Sequence, residues 1–512
     1  MANKYPPITG ARLVLLTVGV SLGLFMNILD TSIANVAIPT IAGNLAVSPD
    51  EGTWVITSFA VSLAIALPLT GWLGKRFGEV RLFLVATLLF SLFSLLCGLS
   101  ASLPMLIVCR VLQGAVAGPM IPLSQSLLMA NYPPEKQGTA LSIWGMIAVV
   151  APVVGPILGG VVTDDFSWPW VFFINVPIGL VAVAITAFVL RGRETERERR
   201  ALDKIGLGLL IVGVASLQIM LDKGNELAWF SSSTICWLAV IAVVALAFFV
   251  AWELTETHPV VDLTLFRRRN FTVATLAISL GYLMFFGNII IFPLWLQTEM
   301  GYTATWAGIA AAPIGLLAVF VAPTVGGLMR RFDPRLLVTI AFALFAGVSF
   351  WVSGYATNVD LTQLIVPRLV FGLGVPLFFI PLIAMSVSGL PPERIASASG
   401  LFNFMRMLAG GFGASISIAI WDQRQALHDA RLSAVASVHG PFANEVFTKL
   451  GELGMSAKAS LADLAHVISQ QSFMLATNDF FWLSGWVFLA LLGLVWFARK
   501  SAGRSAPGTS GE

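Results

Sequence analysis

Apolar residues along this chain form long runs that are separated by short polar segments. Many of these runs hold about 20 residues without a charge, which is the length that crosses the hydrocarbon core of a bilayer. The pattern predicts fourteen membrane-spanning helices: 13–38, 53–73, 82–101, 104–128, 138–162, 170–190, 205–222, 234–252, 271–296, 303–328, 335–356, 361–388, 395–420 and 479–498. The sequence therefore predicts an all-α polytopic membrane protein.

The composition supports this prediction and excludes several classes of protein. Hydrophobic residues make up 57% of the 512 residues and charged residues 11%, against roughly 25% charged residues in soluble domains. A soluble enzyme, a disordered protein and a nucleic-acid-binding protein are excluded on this ground. The cysteines Cys97, Cys109 and Cys236 all lie in apolar runs, so neither a disulfide scaffold nor a metal site is expected.

The distribution of basic residues predicts the orientation in the membrane. The N-terminus, the even-numbered loops and the C-terminal tail hold 22 of the 30 Lys and Arg residues, and the odd-numbered loops hold five. Because cytoplasmic loops carry the excess of basic residues in membrane proteins, both termini are predicted to be cytoplasmic. An even number of spans requires the same arrangement.

The sequence contains an internal repeat. Residues 106–110 recur at 364–368 and residues 133–135 recur at 391–393, each at an offset of 258. The repeat predicts a first six-helix half (1–190), two inserted helices with cytoplasmic linkers (191–270), a second half (271–498) and a cytoplasmic tail (499–512). The second half includes a periplasmic loop at about 422–478. Two parallel halves with a site between them at the membrane midplane are the architecture of the major facilitator transporters.

Four ionisable residues lie well inside predicted spans, namely Asp30, Arg110, Arg368 and Arg406. At 1.5 Å per helical residue, Asp30 lies roughly 12 Å and Arg110 roughly 9 Å from the outer ends of their spans. The two side chains are therefore expected to meet in the first half. A static ion pair and a proton-coupling switch are both compatible with such a pair.

Polar residues one helical turn away extend these positions into stripes. Asn27, Gln113 and Asn403 each share a helix face with one of the ionisable residues, and such stripes either line a cavity or join helices. At an offset of 255 the counterpart of Asp30 is Phe285, so proton binding is expected in the first half alone. The candidate cavity residues are Asn27, Thr31, Asn35, Gln113, Asn288, Arg368, Asn403 and Arg406.

The fifth predicted span is rich in small residues and prolines, which predict a kinked helix packed closely against a neighbour. The residues concerned are Pro152, Gly155, Pro156, Gly159 and Gly160.

Several segments resemble one transporter family. Leu29–Pro39 is similar to the first-helix motif of the fourteen-span drug:proton antiporters of the major facilitator superfamily. Arg110 with Gly114 resembles the fourth-helix motif that is tied to proton transfer, and the small residues of span five resemble the antiporter motif. The segments 52–59, 172–177 and 229–232 are similar to the inner-membrane subunits of tripartite pumps of the EmrB and FarB type.

The resemblance implies a bacterial inner-membrane exporter that is driven by the proton gradient and needs no cofactor. Asp30 and Arg110 would couple protons, and the partners would be small lipophilic substrates, a periplasmic membrane-fusion adaptor and an outer-membrane channel. The cytoplasmic gate loop of the family corresponds to Gly71, Lys75, Arg76, Gly78 and Glu79. Lys75 stands where the family normally has Asp, so the charge relay of this loop is expected to be either rebuilt or weakened.

The predicted outer segment Asp422–Asn478 holds three of the four histidines. Their spacing does not favour a metal site, and Ala426–Val435 and Phe447–Ile468 are predicted to be short amphipathic helices. The segment either covers the outer mouth or docks the adaptor.

The leading hypothesis is a proton-driven exporter of amphipathic toxic compounds. The three intramembrane arginines favour weakly acidic or anionic substrates. A proton symporter or facilitator for a nutrient or siderophore on the same fold is the alternative, because a fold does not fix a function. An intramembrane enzyme is not expected, since no predicted span contains a histidine that could serve as a base beside a nucleophile.

Overall fold

The computed structural model describes residues 5–198, 201, 203–224, 226–257, 259–435 and 456–499, and the regular elements in these ranges are all helices. Thirteen helices in these ranges are long and apolar enough to cross a membrane. The major helices are α1 (Gly10–Asn44), α2 (Trp54–Phe77), α3 (Glu79–Gly98), α4 (Leu103–Asn131), α5 (Gln137–Asp165), α6 (Asn175–Val189), α7 (Lys204–Lys223), α8 (Ser233–Thr255), α9 (Arg269–Thr298), α10 (Pro313–Arg331), α11 (Pro334–Val352), α12 (Leu361–Val387), α13 (Pro392–Val435) and α14 (Ala457–Val495).

Short helical turns join or precede some of these helices. They are Pro49–Gly52, Pro134–Lys136, Trp170–Phe173, Trp229–Ser231, Leu263–Arg267 and Ala304–Ala311. The helix α5 occupies the position of the fifth predicted span and is 29 residues long.

The helix packing follows the internal repeat. In the first half α1 packs on α5 and α6, and α4 packs on α2 and α3; in the second half α9 packs on α13 and α14, and α12 packs on α10 and α11. Gly114 approaches the Phe59 carbonyl of α2, and Gly372, 258 residues later, approaches the Ile314 carbonyl of α10. A side chain at either glycine would collide with the backbone of the facing helix.

The same offset relates α1 to α9. Gly23 of α1 lies against Phe83, and Gly281 of α9, 258 residues later, lies against Phe342. In this register the counterpart of Asp30 is Asn288. The offset of 255 predicts Phe285 as the counterpart instead. At the offset of 258, the second half carries an amide where the first half carries a carboxylate.

The inserted helices α7 and α8 pack on each other, and α7 also contacts α2 and α13. The Lys223 ammonium at the end of α7 donates to the Thr53 hydroxyl at the start of α2, at 3.0 Å. The Ser415 hydroxyl of α13 donates to the Leu221 carbonyl at 2.6 Å. The insertion is therefore attached to both halves.

The last two major helices extend beyond the predicted outer membrane boundary. Instead of a loop that starts at residue 422, α13 continues to Val435 and α14 begins at Ala457. At 44 and 39 residues, these helices measure roughly 66 and 58 Å, about twice the thickness of the hydrocarbon core. The segment Ala426–Val435 is thus the end of α13. His439 and the first part of the predicted helix Phe447–Ile468 lie outside the described residues.

Polar and aromatic contacts hold the extended ends of α13 and α14 together. The Trp421 indole donates to the Thr477 hydroxyl at 2.8 Å and packs on the Phe473 ring. Arg424 and His428 of α13 both contact the Asp479 carboxylate of α14 at 2.7 Å. Sequence hydropathy falls near residue 420 because these side chains alternate with apolar residues, although the helical backbone continues.

The two halves are in close contact at the end of the bundle that carries the basic loops. A Cβ atom at Gly71 of α2 would lie 1.9 Å from the Ser397 hydroxyl of α13. A Cβ atom at Gly326 of α10 would lie 2.8 Å from the Gly138 carbonyl oxygen of α5. At the opposite end, a Cβ atom placed at Gly160 of α5 or at Gly308 before α10 would meet no described atom within 4 Å outside its chain neighbours and the backbone of its own helix.

Candidate functional site

Asp30 lies in the interior of the first half, and its side chain is fully buried. One carboxylate oxygen accepts a hydrogen bond from Arg110 Nη1 at 2.5 Å. The other accepts from Gln113 Nε2 at 3.2 Å and from Asn175 Nδ2 at 2.8 Å. The carboxylate is therefore bound from α4 and α6, with one charged and two neutral donors.

Arg110 is also fully buried. Its Nε donates to the Val55 carbonyl of α2 at 3.0 Å, and its Nη1 also donates to Gln113 Oε1 at 2.9 Å. The guanidinium lies 4.1 Å from the centroid of the Phe59 ring, which is a favourable cation–π distance. The ion pair and the ring contact offset part of the cost of removing this charge from water, and Nη2 has no partner among the described atoms.

Asn175 is a member of this buried network that the sequence alone does not indicate. It begins α6, and its amide joins the Asp30 carboxylate to the Ser94 hydroxyl of α3 at 2.9 Å. The signal in the sequence is a single amide within an apolar segment, followed closely by Pro177. Spacing alone could not place it near Asp30, because the two residues are separated by 145 positions.

Arg368 occupies the position in the second half that corresponds to Arg110, but no carboxylate of the described residues pairs with it. Its guanidinium lies 3.4 Å from the centroid of Phe292 and 5.6 Å from that of Phe481. Within the described part of the chain, Arg368 Nε and Nη2 are buried without a hydrogen-bond partner. Burial raises the pKa of the nearby Tyr355 to about 12, against a smaller opposing effect of Arg368. The phenol therefore stays neutral at physiological pH and provides no counter-charge.

Arg406 of α13 faces aromatic rings other than those that contact Arg368. Its guanidinium lies 5.3 Å from the Tyr282 ring and 5.8 Å from the Phe379 ring, and Nε has no partner among the described atoms. The second half thus contains two cationic groups that face aromatic rings.

The other candidate cavity residues differ in burial. Asn27, Asn288 and Asn403 are buried, and each uses its amide to join backbone or neighbouring side chains. Thr31 is half-buried and Asn35 is exposed on the outer part of α1. These two residues lie on the same helix as Asp30 but outside its hydrogen-bond network.

Gly155 of α5 lies in close contact with α1. A Cβ atom at this position would lie 2.4 Å from the Cβ and hydroxyl of Ser32. Gly159 is buried, Gly160 is half-buried and Pro152 is exposed; the side chain of Pro156 lies outside the described atoms. The small residues of this motif therefore differ in their contribution to packing.

The linker that follows α6 forms hydrogen bonds to the gate loop, a contact that the sequence alone does not predict. The Glu194 carboxylate, from the linker after α6, accepts hydrogen bonds from the backbone N–H groups of Val80 and Arg81 at 3.0 and 2.9 Å. The Thr195 hydroxyl accepts from the Glu79 N–H at 2.9 Å. These oxygens satisfy the free N–H groups at the start of α3 and interact favourably with its dipole.

The remaining gate residues lie beside the cap that Glu194 and Thr195 form at the start of α3. Gly78 has a φ of +89°, and a Cβ atom there would lie 2.4 Å from the Glu194 carboxyl carbon. The Glu79 carboxylate accepts from the Ser126 hydroxyl of α4 at 2.6 Å. Lys75 accepts a backbone hydrogen bond from the Glu198 N–H at 2.8 Å. The linker thus joins the ends of α2 and α3.

Comparison with known proteins agrees with this architecture. The profile of the Major Facilitator Superfamily matches residues 20–414. The chain is 50% identical over 507 residues to the multidrug export protein EmrB of Escherichia coli K12, covering 99% of each chain. It is 46% identical over 495 residues to the fatty acid resistance protein FarB of Neisseria gonorrhoeae, covering 97% of this chain and 98% of FarB.

Solved structures share the fold at low sequence identity. The human organic anion transporter MFSD10 aligns with a TM-score of 0.60 and 13% identity, covering 95% of this chain and all of that one. An auto-inhibited peptide transporter of the POT family aligns with a TM-score of 0.58 and 16% identity. With this fold, these relatives and this intramembrane ion pair, the chain belongs to the major facilitator superfamily and, within it, to the family of the EmrB-type multidrug export proteins.

Proposed function

We propose that this protein exports amphipathic toxic compounds across the bacterial inner membrane in exchange for protons. It is a multidrug efflux transporter with fourteen spans and cytoplasmic termini, and it works by alternating access. The observation that carries the proposal is the Asp30 carboxylate, fully buried and paired with Arg110 inside the first half. A titratable group at this depth is costly, and such groups are by default candidates for a role in transport or coupling.

Proton exchange follows from the two charge states of the site. Protonation of Asp30 removes half of the ion pair, so the hydrogen bonds from Arg110, Gln113 and Asn175 lose strength. Because these donors lie on α4 and α6, the change alters how α1 packs in the first half. A change in packing free energy shifts the equilibrium between outward-open and inward-open states.

The conformation of the chain corresponds to one stage of this cycle. The contacts at Gly71–Ser397 and Gly138–Gly326 hold the halves together at the end with the basic loops, which is the cytoplasmic end in the proposed orientation. Asp30 is paired with Arg110 in this state. Proton loading from the periplasm would then precede opening toward the cytoplasm.

The second half supports a preference for weakly acidic or anionic lipophiles. Arg368 and Arg406 are cations set against aromatic rings, and no carboxylate from the described ranges contacts either of them. A ligand with a carboxylate and an apolar body would supply the missing counter-charge and bury its own apolar surface. FarB is named for resistance to fatty acids, which have this chemistry.

Partners in the periplasm are part of the proposal. The extended ends of α13 and α14 project as a helix pair beyond the membrane boundary, and exposed residues line α13 from Asp422 to Ala434. A periplasmic membrane-fusion adaptor that leads to an outer-membrane channel would dock on this pair. Protons and lipophilic substrates are the small partners, and no cofactor is needed.

The test is proton release from purified, detergent-solubilised protein in weak buffer. A lipophilic acid and a lipophilic cation are added in turn to wild type, to Asp30→Asn and to a control, Glu135→Gln, which changes an exposed loop carboxylate. We expect release from wild type and the control only, with substrate binding retained in all three proteins. Binding without release from wild type would contradict antiport and favour a symporter or facilitator.

A further inference from the structure

An open cavity of about 560 Å³ lies at the surface of the second half, at the end that carries the basic loops. Five arginines line it, together with three neutral polar residues. The lining residues are Arg267, Arg268, Arg269, Arg394, Arg499, Thr264, Asn270 and Ser388. The cavity is separate from Asp30 and Arg368, and transport as proposed above does not use it.

Three of the arginines are fixed by contacts with neighbouring segments. Arg394 pairs with Asp262 at 2.5 Å, Arg268 donates to the Gly389 carbonyl at 3.2 Å, and Arg269 donates to the Phe497 carbonyl. These contacts join the turn before α9, the start of α13 and the end of α14. The wall of the cavity is therefore preorganised.

The positive charge of the cavity exceeds what its neighbours compensate. Asp262 pairs with Arg394, and no carboxylate is among the residues that line the cavity. Arg267 and Arg499 are exposed, and the described part of the chain provides no hydrogen-bond partner for either guanidinium. The N-terminus of α9, which begins at Arg269, adds the partial positive charge of a helix dipole.

The surroundings indicate which anion would occupy this cavity. Guanidinium groups match the geometry of phosphate oxygens and bind them through paired hydrogen bonds. Trp496 and Phe497, which lie shortly before Arg499 in the chain, are 50% and 61% exposed. Exposed aromatic residues near the end of a membrane span lie at the level of the lipid headgroups. An apolar surface for an acyl chain thus adjoins a binding site for its phosphate.

We propose that this cavity binds the phosphodiester headgroup of an anionic phospholipid from the cytoplasmic leaflet. Basic pockets between helices on this side of a membrane are suited to such headgroups. The proposal uses the orientation given under the proposed function, but it does not depend on proton exchange. The lipid would hold together the ends of α12, α13 and α14, which meet at the cavity.

The experiment compares two double variants that lose the same charge. Arg267→Gln/Arg499→Gln removes the two arginines whose guanidinium groups have no hydrogen-bond partner in the described part of the chain. Arg330→Gln/Arg331→Gln removes two exposed arginines from the same end of the bundle, outside the cavity. Lipid retention is measured by native mass spectrometry, and thermal unfolding is followed in detergent with added phosphatidylglycerol, phosphatidylcholine or inorganic phosphate.

We expect wild type and the Arg330/Arg331 variant to retain phosphatidylglycerol and to gain thermal stability from it. The cavity variant should bind this lipid at least fivefold more weakly, and phosphatidylcholine should stabilise none of the proteins to the same extent. Equal losses in both variants, or no loss in the cavity variant, would overturn the proposal. Equal stabilisation by inorganic phosphate would overturn the lipid assignment in favour of a soluble phosphate compound.

Proton release by Asp30 provides an independent readout in the same preparations. Both double variants should still release protons when substrate binds, because neither alters the first-half network. Loss of lipid binding with intact proton release would confirm that the two sites are separate.

Discussion

The Ser32 hydroxyl donates a hydrogen bond of 2.9 Å to the carbonyl oxygen of Pro152. In a regular helix this oxygen would accept from the N–H of residue 156, but residue 156 is a proline and has none. Ser32 of α1 therefore satisfies an acceptor that α5 itself leaves free. Because Ser32 lies two residues after Asp30, this hydrogen bond links the segment of α1 that carries the proposed proton site directly to α5.

Gly155 and Gly160 of α5 should respond differently to the same substitution. Gly155→Ala places a methyl group against Ser32, so we expect a loss of about 1–3 kcal/mol in stability and impaired efflux. Gly160→Ala enters open space and improves helix propensity by up to about 1 kcal/mol. Thermal unfolding and ethidium efflux measure both effects. Equal behaviour of the two variants would contradict the packing assigned to Gly155.

The repeat-related arginines should have opposite effects on stability. Arg110→Leu leaves the buried Asp30 carboxylate without its cation, which costs about 3–5 kcal/mol. Arg368→Leu removes a buried charge that has no carboxylate partner, so we expect unchanged or higher thermal stability. A large loss in Arg368→Leu would show that a counter-ion is present in the resting protein.

Substrate selectivity of Arg368→Leu tests the proposed anion preference in the same protein. We expect export of a long-chain fatty acid to fall at least fivefold relative to wild type. Export of a lipophilic cation such as ethidium should change less than twofold, which also controls for folding and insertion. An equal loss for both substrates would contradict a role in anion selection.

Contact between the halves should limit opening toward the cytoplasm. Gly71→Val introduces a side chain where Ser397 now lies, so we expect the closed state to be destabilised. Spin labels at Phe77→Cys and Phe332→Cys, two exposed positions at this end of α2 and α10, should report a longer distance in the variant. Gly327→Ala, whose nearest contact is at 4.0 Å, is the control and should leave the distance unchanged.

The cap that Glu194 of the linker forms on α3 can also be tested by mutation. Glu194→Ala removes the acceptor for two backbone N–H groups, a change that costs about 1 kcal/mol at helix starts. We expect faster hydrogen exchange at the amides of Val80 and Arg81. Glu135→Gln, in an exposed loop, should leave exchange at these amides unaffected; equal rates in both variants would argue against the cap.

Much of the architecture follows from the sequence because bilayer thickness dictates where apolar runs begin and end. The approach of Asp30 to Arg110 also follows, since depth along a helix can be counted at a fixed rise per residue. Asn175 and Glu194 could not be placed in this way, because their partners are more than 100 residues distant and depend on how helices pack. The ends of α13 and α14 were misjudged because hydropathy reports the membrane boundary and not the end of a helix.

The placement of a single buried carboxylate at mid-depth has an electrical consequence. Among the described residues, Glu79 and Glu253 are also buried but lie near helix ends, whereas Asp30 lies deep in α1. If Asp30 alone carries the proton, as the proposed function implies, one proton moves inward per turnover. Exchange for a monocation would be electroneutral and driven by the pH difference alone. Exchange for a monoanion would move two charges, so a membrane potential of 100 mV would contribute about 4.6 kcal/mol. Substrate charge would then decide which component of the proton gradient drives export.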